Sequence, residues 1–215
     1  MEKYKKVDSF RIKTPCQFLA SYKYVEPYLR GKRVLDVGCA TGEYLQTFSK
    51  ESVGVDISIP NLEICRSKGL NAILADINKT LPFGDETFEG VFCSHVLEHV
   101  ESPINFLQEM NRILKYNGII VVGVPVEMSL ARVFNDHYFK DHTGHIYAFS
   151  LANMRRLFEY SCFKVEKVVI DINWVRKLHL WWLLSLVQKL PYIFTMWWAN
   201  AYWVIGRKIG YEKEL

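Results

Sequence analysis

Apolar positions along the chain follow two rhythms. Short runs of Val, Ile, Leu and Phe bounded by charged or turn residues predict strands at Arg33–Val37, Ser52–Asp56, Ala72–Ala75, Gly90–Ser94 and Ile119–Val124. Between these runs, apolar residues recur at helical spacing. One helix is predicted after Asp56, with Ser58 as its N-cap and Pro60 in the first turn, where the missing N–H costs nothing. Another begins near Pro103, carries Ile104, Leu107, Asn111 and Leu114 on one face, and stops at Asn117-Gly118. A helix over Leu151–Tyr160, a strand over Lys164–Asp171 and an apolar run at Ala201–Lys208 complete the series. Strands alternating with helices predict an α/β fold, a doubly wound parallel sheet with helices on both faces. With no internal repeat and no Pro/Gly/Ser-rich linker, the 215 residues read as one domain.

The candidate chemistry lies where these strands end. The first runs into VLDVGCATG (Val34 to Gly42), a strand delivering the backbone into a glycine turn. Gly38 and Gly42 permit backbone conformations closed to other residues, and such a turn is expected to hold a polar ligand against its N–H groups. The spacing is GxxxG rather than the GxGxxG of dinucleotide loops. A carboxylate at Asp36 would repel a pyrophosphate and suits a cofactor carrying an ammonium group, such as the methionine end of S-adenosylmethionine. Asp56 closes the second strand, twenty positions after Asp36, about where a nucleoside-binding fold places the acid that accepts from ribose hydroxyls. Asp76 follows the third strand and, with the backbone of Ile77, is placed to meet an adenine amino group. Each acid alone is more simply a strand-end or helix-cap carboxylate, but three at one sheet edge call for a ligand.

Composition narrows the partners. A net charge of +4, with basic residues scattered apart from Lys3, Lys5 and Lys6, gives no stripe for nucleic acid, and none is expected as substrate. Five widely spaced cysteines with no CxxC pair point to a reducing compartment and away from structural zinc. The charged N-terminus lacks the apolar stretch of a secretory signal, so the expected location is cytoplasmic.

Taken together, VLDVGCATG, VGVDIS, LADINKTLPFGDETFEGVFCSHVLEHV, LQEMNRILKYNGIIVVGVP and FSLANMRRLFEYSCFKVEKV resemble the class I S-adenosylmethionine-dependent methyltransferases, in particular the type 11 and type 12 families, from about Arg33 to Val169. The resemblance implies a Rossmann-like seven-stranded sheet whose last strand is antiparallel. It implies that Asp36, Gly38, Cys39 and Gly42 hold the methionine moiety, Asp56 and Ile57 the ribose side, and Asp76 with Ile77 the adenine. Cys93, Ser94 and His95 would line the methyl-donor pocket, and a helix near Tyr22–Tyr28 would cover the cofactor. The chain departs from the family at Ala40, at Glu89 and in the Lys115-Tyr116-Asn117-Gly118 turn. The expected activity is methyl transfer to a small-molecule or lipid-linked acceptor. The alternatives are a non-catalytic nucleoside- or membrane-binding scaffold and, behind it, an NAD-dependent oxidoreductase.

A sulfonium methyl is already electrophilic, so alignment of the nucleophile matters most and a general base helps. His95 and His145 are the candidate bases, and His99 in LEHV is read as structural or pocket-lining. Asp136, His137, Asp141, His142 and His145 also raise a metal reading. Without a helical i, i+4 pair or a cysteine framework they read as a solvated polar loop, and no metal is expected. The aromatic stretch from Trp174 to Ala199 is too short, and too interrupted by Lys189 and Pro191, to cross a bilayer. It is read as an insertion or lid, with an interfacial hairpin resting on a membrane surface as the other candidate.

Overall fold

The computed structural model describes residues 22–126, 144–171 and 201–210, with the single positions 186, 189 and 199. Seven strands form one sheet: β1 (Val34–Val37), β2 (Val53–Asp56), β3 (Ala72–Leu74), β4 (Phe88–Ser94), β5 (Leu114–Pro125), β6 (Phe163–Asp171) and β7 (Ala201–Lys208). Their order is β3-β2-β1-β4-β5-β7-β6. The first five are parallel, and β7 runs antiparallel to both β5 and β6. This is the fold that the alternating pattern and the resemblance predict. Strand order reverses between β1 and β4, so the carboxyl ends of β1, β2 and β4 flank the crevice where such sheets bind ligands.

Helices α1 (Glu26–Leu29), α2 (Ile59–Ser67), α3 (Pro103–Ile113) and α4 (Leu151–Tyr160) accompany the sheet. The last three start from serine caps, of which the sequence pattern predicts Ser58. The hydroxyls of Ser58, Ser102 and Ser150 accept from the N–H groups of Asn61, Asn105 and Asn153 at 3.4, 3.3 and 3.1 Å. Side chains alternate across the strands to fill two cores. Leu35, Val37, Val91, Ile120 and Val122 pack with Phe106, Met110, Met154 and Phe158, while Val34, Phe92, Val121 and Trp203 pack with Tyr22, Val25, Leu29 and Tyr44. The segment around Tyr22 thus lies against Phe92 and Trp203.

One boundary differs from the sequence expectation. α3 ends at Ile113, and Asn117-Gly118 does not stop it. Leu114 is buried and already pairs with Phe88, and pairing resumes only at Gly90 with Ile119. The Asn-Gly dipeptide lies in the bulge between those pairings, with Asn117 at φ 61°. The turn signal was real, but it marks a break inside a strand.

No helix among the described residues is long and apolar enough to cross a membrane. Cys39, Cys65, Cys93 and Cys162 are free thiols.

Candidate functional site

Asp36 is the third residue of β1 and only 2% exposed, and its Oδ2 has no hydrogen-bond partner among the described residues. Burial, reinforced by Cys65, Asp56 and Glu43 nearby, pushes its carboxyl well above the usual carboxylate range, while the Leu45 N–H opposes the shift. A buried carboxylate oxygen left without a donor is costly unless a cation is meant to meet it.

The turn after β1 is built differently from the expectation that its N–H groups face a ligand. Gly38 and Cys39 donate to the Val55 carbonyl at 2.8 and 3.0 Å, Ala40 to Asp56 Oδ2 at 2.8 Å, and Gly42 to the Cys39 carbonyl at 2.9 Å. The turn is satisfied from within and offers no nest of donors to a diphosphate. Its glycines are fixed by the protein's own packing as well as by φ values of +68° and +83°. A Cβ on Gly38 would lie 2.4 Å from Val96 Cγ2, and one on Gly42 would lie 2.4 Å from Leu70 Cδ1. Lys68 Nζ donates to the Thr41 carbonyl at 2.6 Å, and the Thr41 hydroxyl donates to Glu43.

Asp56 ends β2, with Oδ2 on Ala40 and Oδ1 accepting from the Ser58 N–H at 2.8 Å. It therefore ties the β1 turn to the start of α2. Ile57 is 43% exposed between buried Asp56 and Ser58, an apolar surface beside a polar group. Asp76 is half-exposed, and its Oδ1 accepts from Asn78 N–H at 3.0 Å. Ile77 lines a groove of about 450 Å³ with Lys79, Asn105 and Arg112, which includes neither Asp36 nor Asp56.

Two cysteines expected at the site are core residues. Cys39 is 4% exposed and packs with Leu45, Leu62 and Cys65, and its sulfur fills the space beside Gly54. Cys93 is fully buried in the main core, where burial first, then the charges of Glu98 and Asp36, push its thiol well up. β4 is buried on both faces from Gly90 to Cys93, and Ser94 at the strand end is half-buried.

His95 follows β4 with φ 54°, its N–H held by the Gly123 carbonyl at 2.9 Å and its Nδ1 3.3 Å from Glu98 Oε1. A short 3₁₀ turn, Leu97–His99, then places His99 Nδ1 3.2 Å from the Gly144 carbonyl. The His99 and His145 rings meet edge to face, with centroids 4.8 Å apart. Of the polar loop, Asp136, His137, Asp141 and His142 lie outside the described residues, as does most of the aromatic stretch 174–199. Sequence reasoning missed Glu98, which is completely buried although charged. Its signal was an acid set among Val96, Leu97 and Val100, all of them buried.

The family described as Methyltransferase domain matches residues 35–122. The human protein named Probable tRNA methyltransferase 9B is 33% identical over 106 residues, covering 47% of this chain and 23% of its own. Ubiquinone biosynthesis O-methyltransferase of Pasteurella multocida is 33% identical over 110 residues, covering 43% of this chain and 46% of its own. The chain thus spans less than half the length of these curated relatives. The crystal structure of a SAM-dependent methyltransferase from Archaeoglobus fulgidus superposes with a TM-score of 0.66 at 25% identity, covering 87% of this chain and 90% of that one. By sheet order, by the antiparallel β7 and by these likenesses, the chain has the fold of the class I S-adenosylmethionine-dependent methyltransferases and resembles their domain over residues 35–122.

Proposed function

We propose that the protein transfers the methyl group of S-adenosylmethionine to a small or lipid-linked acceptor. The observation that carries this reading is the buried Asp36 carboxylate, whose Oδ2 lacks a donor beside a turn that has none to offer a phosphate. An ammonium group answers both features. In this reading Asp36 meets the cofactor's amino group, the Gly38–Gly42 turn supports the methionine, and Asp56 accepts from the ribose hydroxyls. Ile57 packs on the nucleoside, and Asp76 with the Ile77 backbone reads the adenine. Ser94 contributes at the strand end, while Cys39 and Cys93 act through backbone position alone.

Transfer breaks the methyl–sulfur bond, leaves the electron pair on sulfur and forms the bond to the acceptor. His95, with one ring nitrogen toward Glu98, takes the acceptor's proton on the other. The preference for a lipophilic acceptor draws on topology. Asp171 pairs with Ala201, and Ala201 pairs with Pro125, so the tryptophan-rich stretch leaves and rejoins the sheet at the carboxyl edge that carries Asp36 and Asp56.

A tRNA acceptor is the second reading, favoured by the likeness to the human protein and opposed by the modest charge of +4. Thermal-shift measurements with S-adenosylmethionine, its demethylated product and NAD test the cofactor assignment. Stabilisation by the two sulfur ligands alone is expected. Stabilisation by neither would leave the scaffold reading in its place. Labelled methyl donor offered to lipid extract, soluble phenols and bulk tRNA then separates the acceptors.

A further inference from the structure

Glu98, His99 and His145 can each offer a ligand atom within 4.8 Å of the others. The three residues come from two chain segments, and the structure holds them together firmly. Ile146 and Tyr147 donate their N–H groups to the Glu98 carbonyl at 2.8 and 3.3 Å, and the Tyr147 hydroxyl donates to the Glu101 carbonyl at 2.8 Å. Tyr147 stacks on Phe149, whose carbonyl accepts from the Tyr202 hydroxyl of β7 at 2.7 Å. His145 is thereby anchored to the backbone of the residue whose side chain it faces.

The chemistry of the trio is specific. Glu98 is fully buried, and neither carboxylate oxygen accepts a hydrogen bond. Among the described residues its close polar neighbour is His95, whose Nδ1 lies 3.3 Å from Oε1. A buried carboxylate without hydrogen bonds is costly unless a cation completes it. His99 faces a carbonyl through Nδ1, so that nitrogen is the donor and Nε2 carries the lone pair. A ring N–H given to a backbone carbonyl is the usual support of a metal-bound histidine. Ligand atoms around one ion at about 2.0–2.2 Å lie roughly 3–4 Å apart, so a pair at the full 4.8 Å has to close by about 1–2 Å.

We propose that Glu98, His99 and His145 bind a divalent first-row transition ion such as zinc, cobalt or manganese. Two imidazoles and one carboxylate form a donor set for such ions rather than for the all-oxygen shells of calcium or magnesium. Half-buried His99 and His145 leave the ion a way in. Three protein ligands leave coordination positions for an acceptor oxygen, and Glu98 lies close enough to Asp36 for both to act on the Cys93 thiol. Only this catalytic consequence rests on the methyl-transfer reading. The binding site does not.

The test uses the full chain, stripped with chelator and kept free of cofactor. Calorimetric titration with zinc, cobalt and manganese chlorides is expected to give one ion per chain and a rise in Tm, and the cobalt form should absorb in the visible with nitrogen and oxygen ligation. His145→Ala and Glu98→Gln should each weaken binding at least tenfold, with circular dichroism verifying the fold. His145 is half-buried outside the helices and strands and can be removed even if Glu98→Gln unfolds. Absence of stoichiometric binding, or an affinity that survives His145→Ala within twofold, would overturn the site. Cofactor stabilisation measured on the same stripped protein reports separately on the methyl-transfer reading.

Discussion

Asp36 changes in meaning between sequence and structure. In the sequence it is an acid in a glycine turn, and its chemistry could be argued only by excluding a phosphate. In the fold it is a carboxyl sealed from water, pushed up in pKa by burial and by Cys65, Asp56 and Glu43. A carboxyl with its folded pKa raised above its unfolded one gives stability that is full below the unfolded pKa and lost as pH rises through the folded pKa. At neutral pH the ionised form is a cost, offset when an ammonium group binds. Binding of S-adenosylmethionine should therefore weaken as pH falls through that raised pKa and should release a proton. Calorimetry in buffers of different ionisation heat measures the release. Asp36→Asn should abolish it and weaken binding by about 1–3 kcal/mol, while leaving the ligand-free Tm unchanged or higher. The Ser58 cap and the strand-end places of Asp36 and Asp56 were legible because they are local. The burial of Glu98 was not, since His145 comes near it only through the fold.

Among elements, the turn after β1 and the segment after β4 form one unit. Val96 fills the place a side chain on Gly38 would take, so the cofactor-side turn and the Glu98–His99 turn are in direct contact. Gly38→Ala should cost about 1–3 kcal/mol from its left-handed backbone, with a further loss from the clash. Val96→Ala in the same chain should recover only the clash component, and a double-mutant cycle by urea unfolding resolves the two. The glycine spacing revealed that a tight turn was present. It could not reveal that the turn's donors bond to Val55 and Asp56, because that depends on how β1 lies beside β2.

For the whole molecule, the alternation of apolar runs announced the sheet and its two helical layers, whereas the place of β7 followed only from resemblance. No local pattern marks a strand as antiparallel when both its faces are buried. Its insertion has an energetic anchor in Trp203, which is 1% exposed, stacks on Phe92 at 5.3 Å and fills the space above Gly123. Trp203→Ala should destabilise the fold by about 3–5 kcal/mol, read as a lower urea midpoint.

The pairing of Asp171 with Ala201 carries one more consequence. The 29 residues between them begin and end at a single rung of the sheet, so the chain there makes a closed detour. Closing such a detour becomes harder only with the logarithm of its length. Stretches of quite different size and composition can be exchanged at that rung without altering a single strand. A lineage can thus change the company this chain keeps while its frame stays the same.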